Sequence, residues 1–199
     1  MLGDASMFRQ KIIIIVVCEG PSERAYIQEL NRYFDEEEIL LQFVAKPSNG
    51  GQFSLVKSKY RKVRQNNKKS IIKIWVDKDR YFRNDASDMD HYKAKPLDIP
   101  DFLFSYMNYE DFLTMHLSSK KLNNWLFFCN KRNHFTAPSH SSEYLSEFVK
   151  FIGNYSKGEI PFEINKQTLE NLKKHQEDSS IPFKCDFADE LFCLLGNNF

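Results

Sequence analysis

Two stretches of this chain place carboxylates where an apolar run stops. The first is "IIIIVVC", Ile12 to Cys18, followed at once by Glu19, Gly20 and Pro21. The second is "IIKIWV", Ile71 to Val76, followed by Asp77, Lys78 and Asp79. Continuous β-branched runs of this length are the mark of strands buried on both faces of a parallel sheet. Ligands of open α/β sheets bind beyond the carboxyl ends of such strands. Residues two apart in extended chain point to one side, so Asp77 and Asp79 can face one ion together. The pattern predicts three carboxylates, Glu19, Asp77 and Asp79, converging on one sheet edge. Three such charges repel unless a cation holds them. All-oxygen ligands favour Mg²⁺ or Mn²⁺. A lone Glu-Gly-Pro is usually a turn and a lone Asp-x-Asp usually surface; it is their placement after two apolar runs, in order, that makes the signal.

The elements that must position these acids follow an alternating order. A strand over 11–18 leads to a helix opened by Pro21, which suits the first turn because no N–H is needed there. Ala25, Tyr26, Leu30, Tyr33 and Phe34 give that helix an apolar stripe. The acidic stretch 35–38 turns the chain into a strand over 39–44, and the loop 47–51 contains Pro47, Asn49, Gly50 and Gly51. A helix over 52–64 carries Phe53, Val56, Tyr60 and Val63 on one face. After the strand 71–76 comes a polar loop, 80–96, then a strand over 102–106. A helix starts at Asn108 or Tyr109, and further helices are expected over 121–129, 142–155, 165–175 and 187–195. Strand–helix alternation predicts an α/β fold, with a parallel sheet of about four strands flanked by helices. The division expected is an α/β core over 1–118 and a helical C-terminal portion over 119–199 packed on it.

Composition sets limits on function. The chain has 199 residues, with 28 Lys and Arg against 27 Asp and Glu, a formal net charge of +1. Binding to nucleic acid must therefore use a local patch. The densest is "KSKYRKVRQNNKK", Lys57 to Lys69, which has seven cations and no acid. Its readings are a solvated helix face or a phosphate-binding surface through Lys57, Arg61 and Arg64. Lys78 and Arg80 flank the aspartates, where they either contact phosphate or stand in solvent. Four cysteines without CxxC or Cys/His spacing read as free thiols of a reducing cytoplasm. The run 12–18 is too short to span a membrane and lacks a small-residue cleavage site. No P-loop and no GxGxxG occurs, which argues against a nucleotide-driven motor or a dehydrogenase.

Three further groups have two readings each. Glu23, one turn after Glu19, either adds to the acidic edge or pairs with its helix dipole. Glu110 is either a fourth acid or a helix cap. His116, on an apolar stretch, reads as a hydrogen-bonded structural histidine rather than a catalyst. His134 and His140 fall in a polar loop without metal-type spacing.

"VVCEGPSE" followed by "IWVDKD" resembles the Toprim domain of topoisomerases, primases and overcoming-lysogeny-defect nucleases, with its strand-ending Glu and later DxD. The closer resemblance is to RloB-like proteins, small Toprim proteins encoded beside restriction and abortive-infection genes. Their EGxTE matches Glu19-Gly20-Pro21-Ser22-Glu23, with Ser22 in place of Thr. Their FExWLLLHF resembles "YMNYEDFLTMHL", with Tyr109, Glu110, Phe112 and His116 in register. "YSKG", Tyr155 to Gly158, is a weaker later match. Many Toprim domains carry a third acid two residues after DxD, where this chain has Tyr81.

The resemblance implies a Rossmann-like Toprim fold and a cytoplasmic, metal-dependent nuclease serving anti-phage defence. Asp77 and Asp79 would hold Mg²⁺, and Glu19 would be a ligand or general acid/base. It also implies nucleic acid as substrate and a neighbouring ATPase as partner. The alternative is a non-catalytic nucleic-acid or partner-binding module on the same scaffold. A small-molecule phosphotransferase or phosphatase is a third reading.

Overall fold

A computed structural model describes residues 10–77, 102–135, 142–153 and 155–196. The chain runs β1 (Ile12–Cys18), α1 (Pro21–Glu36), β2 (Leu41–Pro47), α2 (Phe53–Asn66), β3 (Ile71–Asp77) and β4 (Phe102–Tyr106). It continues with α3 (Tyr109–Thr114), α4 (Ser119–Lys131), α5 (Ser142–Ile152), α6 (Lys166–Glu177), β5 (Lys184–Cys185) and α7 (Asp186–Leu195).

The sheet order is β2-β1-β3-β4-β5. The first four strands are parallel, as the apolar runs predicted. The expectation of about four strands is corrected to five. Lys184 and Cys185 add a two-residue strand antiparallel to β4, pairing Ser105 with Cys185. Such a short segment has no periodicity to read. Strand β2 also starts and ends later than the 39–44 expected.

Two-face burial of β1 explains its composition. Ile14 and Val16 point into a large cluster with α1, where Tyr26, Leu30 and Phe34 are buried. Ile15 and Val17 point into a second cluster with Val56 and Val63 of α2. The two crossover helices thus cover opposite faces of the sheet. Trp75 centres the larger cluster. Its ring stacks on Phe187 of α7 at 4.3 Å and meets Phe112 edge-on at 5.3 Å. The C-terminal residues help complete the sheet and its cover. Asp186 accepts a hydrogen bond from the Phe104 N–H at 3.0 Å. Lys184 Nζ donates to the carbonyls of Gln176 and Asp178 at 2.6 and 2.7 Å, neutralising the carboxyl end of α6.

His116 is buried, with Nε2 2.9 Å from the Tyr26 hydroxyl and its ring against Phe112 and Phe162. Burial depresses its pKa to about 3. The folded state therefore keeps this ring neutral while the unfolded chain protonates below about 6.5. Its contribution is complete above pH 6.5 and is lost as pH falls toward 3. Between pH 6.5 and 5 that loss is about 2 kcal/mol for one proton. Urea unfolding at both pH values should show wild type losing more stability than His116→Gln by about this amount. Equal pH dependence of the two would mean that the ring protonates in the fold.

Candidate functional site

The order β2-β1-β3 makes the chain diverge between β1 and β3, with one crossover helix on each face. Crevices at such switch points receive ligands at the carboxyl ends of the strands. Glu19 follows β1 and Asp77 ends β3, so two of the three expected acids stand at this point. Glu19 Oε1 accepts the backbone N–H of Asp77 at 2.9 Å. The strand-end backbone thus fixes one acid beside the other. Asp79, Lys78 and Arg80 lie outside the described residues.

The loop after β2 closes over Glu19. Ser48 N–H and Oγ both donate to the Cys18 carbonyl, at 2.8 and 2.9 Å. Gly50 N–H donates to the Glu19 carbonyl at 2.9 Å. Gly51 then passes so close that a Cβ there would overlap both carboxylate oxygens of Glu19. Glycine here leaves the carboxylate its place; a larger residue would push the Glu19 side chain aside. In sequence Gly50 and Gly51 read as loop punctuation; the contact is long-range and leaves no local pattern. Gly51→Ala should displace the Glu19 carboxylate while the sheet survives. If this edge holds a divalent ion, the substitution should cost at least about tenfold in Mn²⁺ affinity by calorimetry, with thermal unfolding changed little. Unaltered affinity would show that the carboxylate position does not matter.

A second set of acids borders the same edge at the start of α1. Glu23 reaches back so that Oε2 accepts the Gly20 N–H at 3.1 Å, as an N-terminal capping residue does. Burial pushes its carboxyl above the usual range, opposed by that hydrogen bond and the Lys157 ammonium. Glu110 is also raised, by burial and the neighbouring Asp111, and is likewise opposed by Lys157. The Tyr155 hydroxyl donates to Glu110 Oε1 at 3.4 Å, and the Tyr109 hydroxyl to the Ser22 carbonyl at 2.9 Å. A Cβ on Gly158 would meet Pro21 at 3.3 Å. The 155–158 segment therefore packs on the first turn of α1 and carries Lys157 to the two glutamates. Of the two readings of Glu110, capping falls instead to its neighbour: Asp111 Oδ2 accepts the Asn108 N–H at 3.3 Å.

Asp111 is the buried polar centre that the sequence did not reveal. Oδ1 accepts Trp125 Nε1 and the Tyr144 hydroxyl, each at 2.8 Å, and Oδ2 lies 2.8 Å from His134 Nε2. His134 lies in the turn after α4, as the loop reading had it, but is 1% exposed rather than in solvent. Ligand-type atoms of Asp111, Cys129 and His134 lie within 4.8 Å of one another. Both oxygens of Asp111 are already engaged by donors, and burial with the Asp111 charge pushes the Cys129 thiol far up. This donor set suits a structural hydrogen-bond hub better than a thiolate metal centre.

The expected basic surface is one face of α2. Arg61 and Arg64 are exposed and Lys57 is half-buried, its ammonium 5.5 Å from the Phe53 ring. Two shallow grooves of about 440 and 660 Å³ run along the helix and share Arg61 and Gln65. No helix among the described residues is long and apolar enough to cross a membrane. No family model matches the chain, and no curated protein and no solved structure matches it either.

Proposed function

We propose that the protein is a divalent-metal-dependent nuclease of the Toprim class, hydrolysing phosphodiesters at the Glu19–Asp77 edge. The observation that carries this reading is the Glu19 carboxylate held between the Asp77 amide and Gly51 at the β1/β3 switch point. Glycine at 51 leaves the space that the carboxylate fills, and the Asp77 N–H orients it there. The donors are carboxylate oxygens on rigid backbone, which fits Mg²⁺ or Mn²⁺. Glu19 and Asp77 would hold the ion, with Asp79 joining them by its spacing and Glu23 and Glu110 as further acids of the edge. Bound there, the ion would supply charge neutralisation at the phosphate and an activated water.

The chain's own residues support the remaining requirements. Burial biases Glu23 and Glu110 toward their protonated forms, which suits proton donation to a leaving oxygen. Glu110 is half-buried where Glu23 is buried, so it is the more accessible acid. Lys157 is exposed and close enough to bias both glutamates, so its ammonium can also meet a phosphate. A role in anti-phage defence, and an ATPase partner, rest on the sequence resemblance alone.

The test is incubation of labelled DNA and RNA, single- and double-stranded, with Mg²⁺, Mn²⁺ or EDTA. Cleavage that EDTA abolishes is the expected result. A folded protein that binds no Mn²⁺ by calorimetry and cuts nothing would overturn the proposal.

A further inference from the structure

The chain has no Asp or Glu between Glu38 and Asp77. Within that span lie Lys57, Lys59, Arg61, Lys62, Arg64, Lys68 and Lys69. None of these seven forms an ion pair among the described residues. Only some cations elsewhere do: Arg32 bridges Glu29 and Glu36, Lys73 meets Glu190, Lys150 meets Glu147 and Lys11 meets Asp35. In a chain of net charge +1, this concentrates five of these cations on α2, with Lys68 and Lys69 just beyond its end.

The other face of α2 is not available for binding. Phe53, Val56 and Val63 are buried on the sheet, and Leu55 is the one large apolar side chain of the helix that is exposed. A bilayer would find no apolar face to take up. An extended polyanion needs only the cations. Lys57 to Arg64 rises about 10 Å along the helix, which matches about three nucleotides of one strand. The helix also starts two residues after Gly51, the residue pressed against the Glu19 carboxylate. One end of the cationic face therefore adjoins the acidic edge.

We infer that the exposed face of α2 is the docking surface for a nucleic-acid strand, which it holds through phosphates without reading sequence and leads toward Glu19 and Asp77. The inference rests on the reading of that edge as a phosphodiester site. Lys57, Arg61 and Arg64 make the contacts, and Arg61 stands between the two grooves.

Anisotropy of labelled 20-nucleotide oligonucleotides tests it, at salt concentrations from 50 to 300 mM and always in EDTA. Binding without metal separates docking from cleavage, so either reading can fail alone. Two variants of equal charge change are compared: Lys57→Gln/Arg61→Gln/Arg64→Gln, and Lys120→Gln/Lys121→Gln/Lys131→Gln on α4. The α2 variant should lose at least about tenfold in affinity at 50 mM salt, and its salt slope should fall by about 2 to 3. The loss should be equal for two unrelated sequences, and the α4 variant should bind like wild type. Equal weakening by both variants would reduce the effect to bulk charge and overturn the proposal. So would a loss confined to one sequence, or binding of phosphatidylserine vesicles without binding of oligonucleotide.

Discussion

Asp77→Asn should lower metal-dependent cleavage by about 10³-fold or more and weaken Mn²⁺ binding, with the fold intact. The structure makes this substitution unusually clean. Glu19 is positioned by the backbone N–H of residue 77, not by its side chain. Asn keeps that N–H and the strand register with Ser105, and removes only the charge. Glu19→Gln is the complementary change: its side-chain oxygen can still accept from the Asp77 N–H. If both acids serve one ion, the double variant should be no slower than the worse single one, because the first loss already disables the unit. Thermal unfolding of each variant should stay close to wild type, and circular dichroism should be unchanged. Wild-type cleavage by either variant would remove that residue from the site, and wild-type cleavage by both would move the cutting site away from the Glu19–Asp77 edge.

The legible part of this architecture is the part written in local pattern. Glu19 and Asp77 were visible because each follows a β-branched run, and such runs have few uses outside a doubly covered parallel strand. The stripe on α1 and the Phe53, Val56 and Val63 face of α2 were visible through their helical period. What stayed hidden depends on contacts between distant segments. Gly51 reads as an ordinary turn glycine; its reason is a carboxylate thirty-two residues earlier in the chain. Lys184 and Cys185 form a strand because β4 offers an edge, not because of any alternation of their own. Lys157 was foreshadowed only by a weak motif, and its relation to Glu23 and Glu110 comes from the packing of its segment on Pro21. Asp111 was overlooked beside Glu110, since an acid in the first turn of a helix ordinarily faces water.

Asp111 is also the residue whose loss should cost the fold most. Asp111 is fully buried and gathers Trp125 of α4, Tyr144 of α5, His134 beyond α4 and the Asn108 amide that opens α3. These groups come from separate parts of the C-terminal half, and the carboxylate is their shared acceptor. Asp111→Ala removes that acceptor at once and leaves a space among the donors. Breaking a buried charged network in this way costs about 3–5 kcal/mol. For a chain of this size the melting temperature should then fall by roughly 6–20 °C. Asp111→Asn preserves the shape and part of the accepting capacity but turns an amide N–H₂ toward donors, so an intermediate loss is expected. The same measurement decides between hub and metal centre. A hub melts at one temperature in zinc and in EDTA, because the carboxylate oxygens are engaged by protein donors. A rise with zinc in the wild type that Cys129→Ser abolishes would instead make Asp111, Cys129 and His134 ligands.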